Sequence, residues 1–340
     1  PDIEVIYKHD IIDFARSKGY FNGKDKDFDF CQAYAPIDFS GARSCELRVW
    51  MMFNAICDGM EEYWDYATGK DLSHRMPLFV TPNRKISVED MMVFMRNHFQ
   101  DTELDKTLDA GAGPFHSPYR WMPLRWEYEG EKYFHERPTE TQQTGFSFIA
   151  QSRSWLPDQI GGIIWFGVDD TNSTVYTPFY CSINEAPIEY RTGNGDILHY
   201  SETSAFWTFN RLAHFKYLFY DRVIGEIKRV QKELESGYVE KVKEIDNQAL
   251  RLVNDNPEKV TPFLTSFAAE AGSATVKRWK ELDNFLLVKF LDGNVKQEKD
   301  GKFIENGYGY PAKPLQPGYP DSWKKMVTEE CGAKIKAPEN

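Results

Sequence analysis

The sequence predicts an α+β fold in which an antiparallel sheet lies between helical segments. Three observations point to it. Apolar residues recur at helical spacing early and late in the chain, as in Met91, Met92, Phe94 and Met95, or Phe206, Phe209, Ala213 and Tyr217. The middle instead holds short, glycine-bounded runs rich in β-branched and aromatic residues, such as 161–167 and 174–183. The links between these runs are too short for the crossover of about a dozen residues that a parallel pair needs, so the strands form an antiparallel meander.

The elements follow in order. Asp10 stands where a cap opens a helix over 11–18, closed by Gly19. A second helix covers 45–60, with Leu47, Trp50, Met51 and Ile56 as its apolar positions. Ser87 with Asp90 reads as a capping box opening a helix over 88–99. Trp126, Tyr128 and Tyr133 flank Glu129-Gly130-Glu131, a hairpin signal. Strands follow at 146–151, 161–167 and 174–183. From Thr203 one long helix is expected, carrying Phe206, Phe209, Ala213, Tyr217, Tyr220, Ile224, Ile227 and Leu234 on one face. Asn256-Pro257-Glu258 starts another, running through Phe263, Phe267, Trp279, Leu282 and Leu286 to Gly293, with a break near Gly272. The tail, rich in Gly, Pro and Lys, reads as loop with one hairpin at Asp300-Gly301. The segments are thus 1–122 (helical), 123–200 (sheet), 201–293 (long helices) and 294–340 (C-terminal loop or tail).

The 340 residues carry 41 Lys+Arg against 52 Asp+Glu, a net charge of −11, and no basic stripe offsets it. Nucleic acid is therefore a poor partner, because its phosphates need neutralising cations. No run approaches the 18 to 20 apolar residues, roughly, of a membrane span, and no signal peptide is visible. With 41% hydrophobic residues the chain can bury a sizeable core. A soluble bacterial-type protein, cytoplasmic or periplasmic, is expected.

The common catalytic signatures are missing. Cys31, Cys45, Cys57, Cys181 and Cys331 contain no CxxC pair and read as small buried hydrophobes, Cys181 most of all, with a long-range disulfide left open. His9, His74, His98, His116, His135, His199 and His214 form no close ligand pair, so neither a metal nor another cofactor is called for. There is no GxSxG elbow, phosphate loop or dinucleotide fingerprint; Gly111-Ala112-Gly113 and Gly193-Asn194-Gly195 read as turns. Asn172-Ser173-Thr174 matches a glycosylation sequon, a pattern short enough to occur by chance.

Three blocks together carry more information. They are Pro114-Phe115-His116-Ser117-Pro118-Tyr119-Arg120; Arg137-Pro138 followed by the stretch 146–157, ending Gln151-Ser152-Arg153-Ser154-Trp155-Leu156-Pro157; and 160–167 with 174–180. They resemble the dipeptidases of the lactobacillal peptidase D type, cysteine peptidases of the N-terminal nucleophile (Ntn) hydrolase superfamily. Arg48-Val49-Trp50 and 85–90 look like segments of the same family, and the resemblance runs from about Asp10 to Leu291. It implies an αββα sandwich and dipeptide hydrolysis. The implied nucleophile is a cysteine that becomes residue one after a leader is removed, with its own α-amine, titrating near pH 8, as general base. The chain opens instead on Pro1-Asp2-Ile3-Glu4, without an initiator Met. It is expected to be the C-terminal two-thirds of such an enzyme, incomplete as a sandwich and inactive alone, with the nucleophile in an N-terminal segment outside it.

The same resemblance singles out Arg137 as a pocket arginine ahead of a strand, able to lower a thiolate pKa or hold a substrate carboxylate. Its alternative is an arginine paired at the sheet edge. Gln142, Thr144, Ser147 and Gln151 line the dipeptide pocket or are hydrogen-bonded structure; Arg153 and Asp169-Asp170 form a structural salt bridge or touch substrate. The implied partners are a dipeptide, the N-terminal segment and, through uncovered sheet edges, a homo-oligomer. The rival is a non-catalytic protein that binds peptides or glycans on exposed rings, since 15% of residues are aromatic. Quenching of tryptophan fluorescence by glycans would favour it.

Overall fold

The computed structural model describes residues 6–338; residues 1–5 and 339–340, including the opening tetrapeptide, lie outside the description. Helices and antiparallel strands alternate in the order expected, in two compact units: Pro1–Lys85 with Glu136–Pro138, and Ile86–His135 with Thr139–Asn340.

The first unit contains short helices: α1 (Ile11–Ser17), α2 (Phe30–Tyr34), α3 (Phe39–Gly41), α4 (Leu47–Asn54) and α5 (Trp64–Ala67). Asp10 does not cap α1 with its side chain and pairs instead with Lys8 at 3.2 Å. Asp29 and Asp38 do cap, accepting from the amides of Gln32 and Gly41. The helix expected over 45–60 is shorter. A π-helical turn, Ala42–Glu46, leads into α4, which stops at Asn54, and Gly59 with a left-handed φ of 83° opens the next turn. Trp50 anchors this unit: it is buried, packs edge-on against Trp64 and donates its indole N–H to the Met60 carbonyl at 2.7 Å.

The second unit opens with α6 (Val88–Phe94), where the capping box of Ser87 and Asp90 is formed. The helix ends before Phe99, which lies at φ 67°. A hairpin of β1 (Arg125–Tyr128) and β2 (Glu131–Phe134) turns on Glu129 (φ 51°) and Gly130 (φ 82°), the left-handed pair that a two-residue hairpin requires. The main sheet has the order β3 (Phe146–Ser152), β4 (Gly162–Val168), β5 (Thr177–Tyr180), all antiparallel, with a short α7 (Asp158–Gly161) between the first two. Strand β5 is shorter than 174–183. Residues 174–176 are buried as loop, and their polar backbone atoms bond to the side chains of Arg96, Gln231 and Glu235 rather than to a strand. Cys181, just past β5, is exposed rather than buried, and all five cysteines are free and none is fully buried.

Two further helices differ from the sequence expectation. The single helix expected from Thr203 is two, α8 (Ala205–Leu218) and α9 (Tyr220–Asp255). Phe219 between them is non-helical (φ −145°, ψ 42°) and its ring packs on Phe115 and Phe290. The Asp221 amide, freed by the break, donates to the Phe115 carbonyl. Tertiary packing therefore overrides a stretch with good helix propensity. The break expected at Gly272 does not exist: α10 (Val260–Lys289) is continuous. A Cβ there would come 2.7 Å from Pro187, so this glycine admits the 187–190 turn against the helix. The tail forms the predicted hairpin, β6 (Glu298–Lys299) and β7 (Lys302–Phe303), and also an unforeseen helix, α11 (Asp321–Ile335). No residue of α11 is buried, so it lacks the apolar stripe that would have marked it.

The core lies between one face of the main sheet and the helices α8, α9 and α10. Ile149, Ile163, Trp165 and Tyr180 point inward from the sheet, meeting Phe209, Val223, Ile227, Phe267 and Trp279. The opposite face carries Phe146, Phe148, Ile164, Phe166 and Phe179, and much of it is open: Phe146 is 60% exposed and Phe148 52%.

Candidate active site

The residues singled out from sequence fall into both units. Arg137 belongs to the first and is exposed. Gln142, Thr144, Ser147 and Gln151 belong to the second and follow one another into and along β3. Gln142 donates to the Arg120 carbonyl at 2.6 Å. The Thr144 amide closes a turn on the Thr141 carbonyl. Ser147 is buried, its hydroxyl 2.9 Å from that of Tyr176, and Gln151 accepts from the indole of Trp165 at 3.0 Å. Ser147 and Gln151 therefore lie on the helix-packed face of β3, alternating with the exposed phenylalanines as strand geometry demands.

Arg153 and the pair Asp169-Asp170 do not meet. Arg153 forms an ion pair with Asp246 and donates to the Ile160 carbonyl, tying the end of β3 to α9. Asp170 is the hub of a separate buried network. Lys216 of α8, fully buried, places its ammonium 2.9 Å from one Asp170 oxygen and 3.2 Å from the other. The same Nζ reaches the Tyr119 hydroxyl at 2.6 Å, Ser173 Oγ at 2.8 Å and Asn172 Oδ1 at 3.1 Å. Tyr119 and Tyr217 donate to Asp170 as well. Asn172 extends the chain of contacts by donating to Glu140 at 2.8 Å, and Glu140 lies 3.3 Å from the His98 ring. The loop between β4 and β5 is thus fixed from three sides.

Lys216 was missed from sequence, although a signal exists. It lies seven residues after Phe209 and three after Ala213, a lone cation on the stripe that faces the core. Such a cation needs a buried partner, and Asp169-Asp170 was the nearest acidic pair interrupting an apolar run.

Asp169 behaves differently from its neighbour. It is buried, adopts φ 64°, and accepts one hydrogen bond, from Asn210 at 2.9 Å; its other oxygen has no partner among the described residues. Burial, with the charge of Asp170 beside it, pushes its pKa up to about 8, so it carries a proton at neutral pH. His98 is shifted up too: burial opposes its charge, but Glu140 more than compensates.

A cleft of about 350 Å³ opens where the exposed sheet face ends. Its floor is Phe146, Phe166 and Tyr190, and its far wall the 191–207 segment with Ile197, Phe206 and Trp207. That wall is stiffly held. Asn194 accepts from Ser201 and Thr203 and donates to the Ile188 carbonyl, while the Trp207 indole donates to the carbonyls of Asp196 and His199. Gly195 (φ 80°) is required where the loop closes, since a Cβ would meet His199 and Ser201 at 3.0 Å. Among the described residues no cluster of His, Cys, Asp or Glu could hold a metal ion, and no helix is long and apolar enough to cross a membrane.

Comparison with known proteins adds the family. The family model described as peptidase family C69 matches residues 2–233, more than half of the chain. The chain belongs to peptidase family C69. This C69 chain is 27% identical over 212 residues to "Probable dipeptidase B" of Lactococcus lactis subsp. lactis (strain IL1403), covering 62% of the chain and 39% of that protein. It is 28% identical over 173 residues to "Probable dipeptidase" of Salmonella dublin, 50% of the chain and 33% of the relative. With "Dipeptidase A" of Lactobacillus helveticus it shares 26% over 126 residues, 36% of the chain and 23% of the relative. The C69 chain therefore spans well under half of the length of these curated relatives. Its matched region holds the main sheet, the buried network and the cleft, and ends within α9.

Proposed function

We propose that this chain is part of a dipeptidase whose nucleophile, an N-terminal cysteine, lies in a segment outside it. The observation that carries this reading is the uncovered face of the main sheet. Phe146, Phe148 and Ile164 are exposed on one continuous surface, whereas the other face is packed on helices. A contiguous apolar face of this kind is rare on a monomer, and burying each phenylalanine would contribute about 1.5 to 3 kcal/mol. A second sheet laid on it completes the αββα sandwich of an Ntn hydrolase. Family membership and relatives named as dipeptidases support the reading from a separate direction.

None of the five cysteines is suited to the role. Cys31, Cys57 and Cys331 donate to backbone carbonyls, and burial pushes the Cys31 pKa up. None hydrogen-bonds to a histidine among the described residues, and the exposed Cys45 has the Arg48 guanidinium at 3.8 Å but no base beside it among them. A cysteine at residue one brings its base with it: the α-amine accepts the thiol proton, the thiolate attacks the scissile carbonyl, the C–N bond breaks as that proton passes to the leaving amine, and water then hydrolyses the thioester to release the acid and restore the thiol. In the complete protein Arg137 orients a substrate carboxylate or lowers the thiolate pKa. Gln142 and Thr144, just ahead of β3, border the pocket, while Ser147 and Gln151, on the helix-packed face of the strand, hold β3 from behind.

The test is N-terminal sequencing of the mature protein made from its complete gene. A cysteine at residue one, upstream of Pro1, is expected; a mature terminus at or near Pro1 would overturn the mechanism. In the complete enzyme, Arg137→Ala should lower dipeptide turnover at least tenfold, about 1.4 kcal/mol in barrier. Turnover equal to that of the wild type would remove Arg137 from the site.

A further inference from the structure

We infer that the cleft between Phe146, Phe166 and the 191–207 segment takes the large apolar side chain of a dipeptide's first residue, with the α-ammonium held against Glu189. The inference rests on the dipeptidase reading for its substrate class and on the cleft for the choice of residue.

Five aromatic rings line it: Phe146 stacks on Phe166 at 5.7 Å, Tyr190 stands edge-on to Phe166, and Trp207 packs on Phe206. Offset and edge-on rings present both faces and edges to a guest, which suits an aromatic or branched aliphatic side chain. The volume, about 350 Å³, is at the small end for ligand sites and is enough for one large side chain. The stiffness of the 191–207 wall means that little conformational freedom is lost on binding. Charge complementarity sets the orientation. Glu189, half-buried at the rim where this cleft adjoins one lined by Lys277 and Lys280, forms no ion pair with either lysine or with any other described residue, so its carboxylate is available to an ammonium. Arg191 beside it is engaged with Glu185 and the Ala186 carbonyl, which keeps the guanidinium from neutralising Glu189. Asp196 is likewise occupied, by His199 and two backbone amides. The cleft is continuous with the open sheet face, where the completing layer and its nucleophile would sit, so a side chain held here leaves its peptide bond directed toward that layer.

The experiment compares Phe-Ala with Ala-Ala. In the complete protein, Thr192→Trp places a bulky ring at the exposed rim of the cleft. The ratio of kcat/KM for Phe-Ala over Ala-Ala should fall at least tenfold; an unchanged ratio overturns the inference. Independently, the Trp207 indole N–H resonance of the complete protein should shift on titration with Phe-Ala, less so with Ala-Ala, and not in the Thr192→Trp variant. A Trp207 signal unmoved by Phe-Ala also overturns it. If the complete protein cleaves no dipeptide while the Trp207 shift persists, the dipeptidase reading falls and the cleft stands as an amino-acid side-chain site.

Discussion

Replacing Lys216 with Met should destabilise the second unit by about 3 to 5 kcal/mol, the cost of leaving one member of a buried ion pair without its partner. Methionine matches the length and volume of the lysine stem, so the substitution changes charge and hydrogen bonding rather than packing. Asp170 then keeps the hydroxyls of Tyr119 and Tyr217 but loses its cation in a site that is fully buried. Tyr119, Asn172 and Ser173 lose their contact with the ammonium as well. For a unit of this size the loss corresponds to a fall in melting temperature of about 10 °C. The double variant Lys216→Met/Asp170→Asn should recover part of it, because the stranded charge is gone. Thermal or urea unfolding of the three proteins checks the point. A single-variant loss below about 1 kcal/mol would mean that water reaches Asp170 and the network is not what fixes the β4–β5 loop.

How much of this was legible beforehand depends on the range of the interaction. Where a few neighbouring residues decide the structure, the sequence reading holds: the Ser87–Asp90 capping box, the Glu129-Gly130 turn and the strand at Phe146 are each fixed within a handful of positions. Where a distant partner decides, it fails. Phe219 breaks a helix because its ring goes between Phe115 and Phe290, residues about a hundred positions before it and about seventy after it. Gly272 looks like a helix breaker but is a contact point for Pro187. Cys181 ends an apolar run, yet β5 has already stopped and the residue is exposed. The candidate polar residues show the same division. Their place on or before β3 was readable, but the contacts of Ser147 with Tyr176 and of Gln151 with Trp165 depend on register across the sheet. Asp169-Asp170 stands out in the sequence as a salt-bridge candidate, but its partner is Lys216, a cation on the core stripe of α8, and not Arg153, which pairs with Asp246.

The two aspartates at the end of β4 should respond oppositely to loss of charge. Asp170 is ion-paired, whereas Asp169 is held protonated, and Asp169→Asn is therefore expected to stabilise the protein at neutral and alkaline pH. The asparagine has the shape of the neutral acid, tolerates the left-handed backbone at φ 64° and removes a negative charge beside Asp170. In the unfolded chain Asp169 ionises near pH 4, but in the folded chain only near 8. The folded state thus binds the extra proton throughout that interval, and wild-type stability falls as pH rises from about 4 to about 8, then levels. The variant carries no such penalty. Its advantage should be close to zero at pH 4, grow by no more than about 1.4 kcal/mol per pH unit, and reach on the order of 2 to 4 kcal/mol at pH 8. Urea unfolding of both proteins at several pH values across this range measures it. Parallel curves would show that Asp169 is ionised in the folded chain, and that Asn210, which donates its one hydrogen bond, is sufficient to hold the charge.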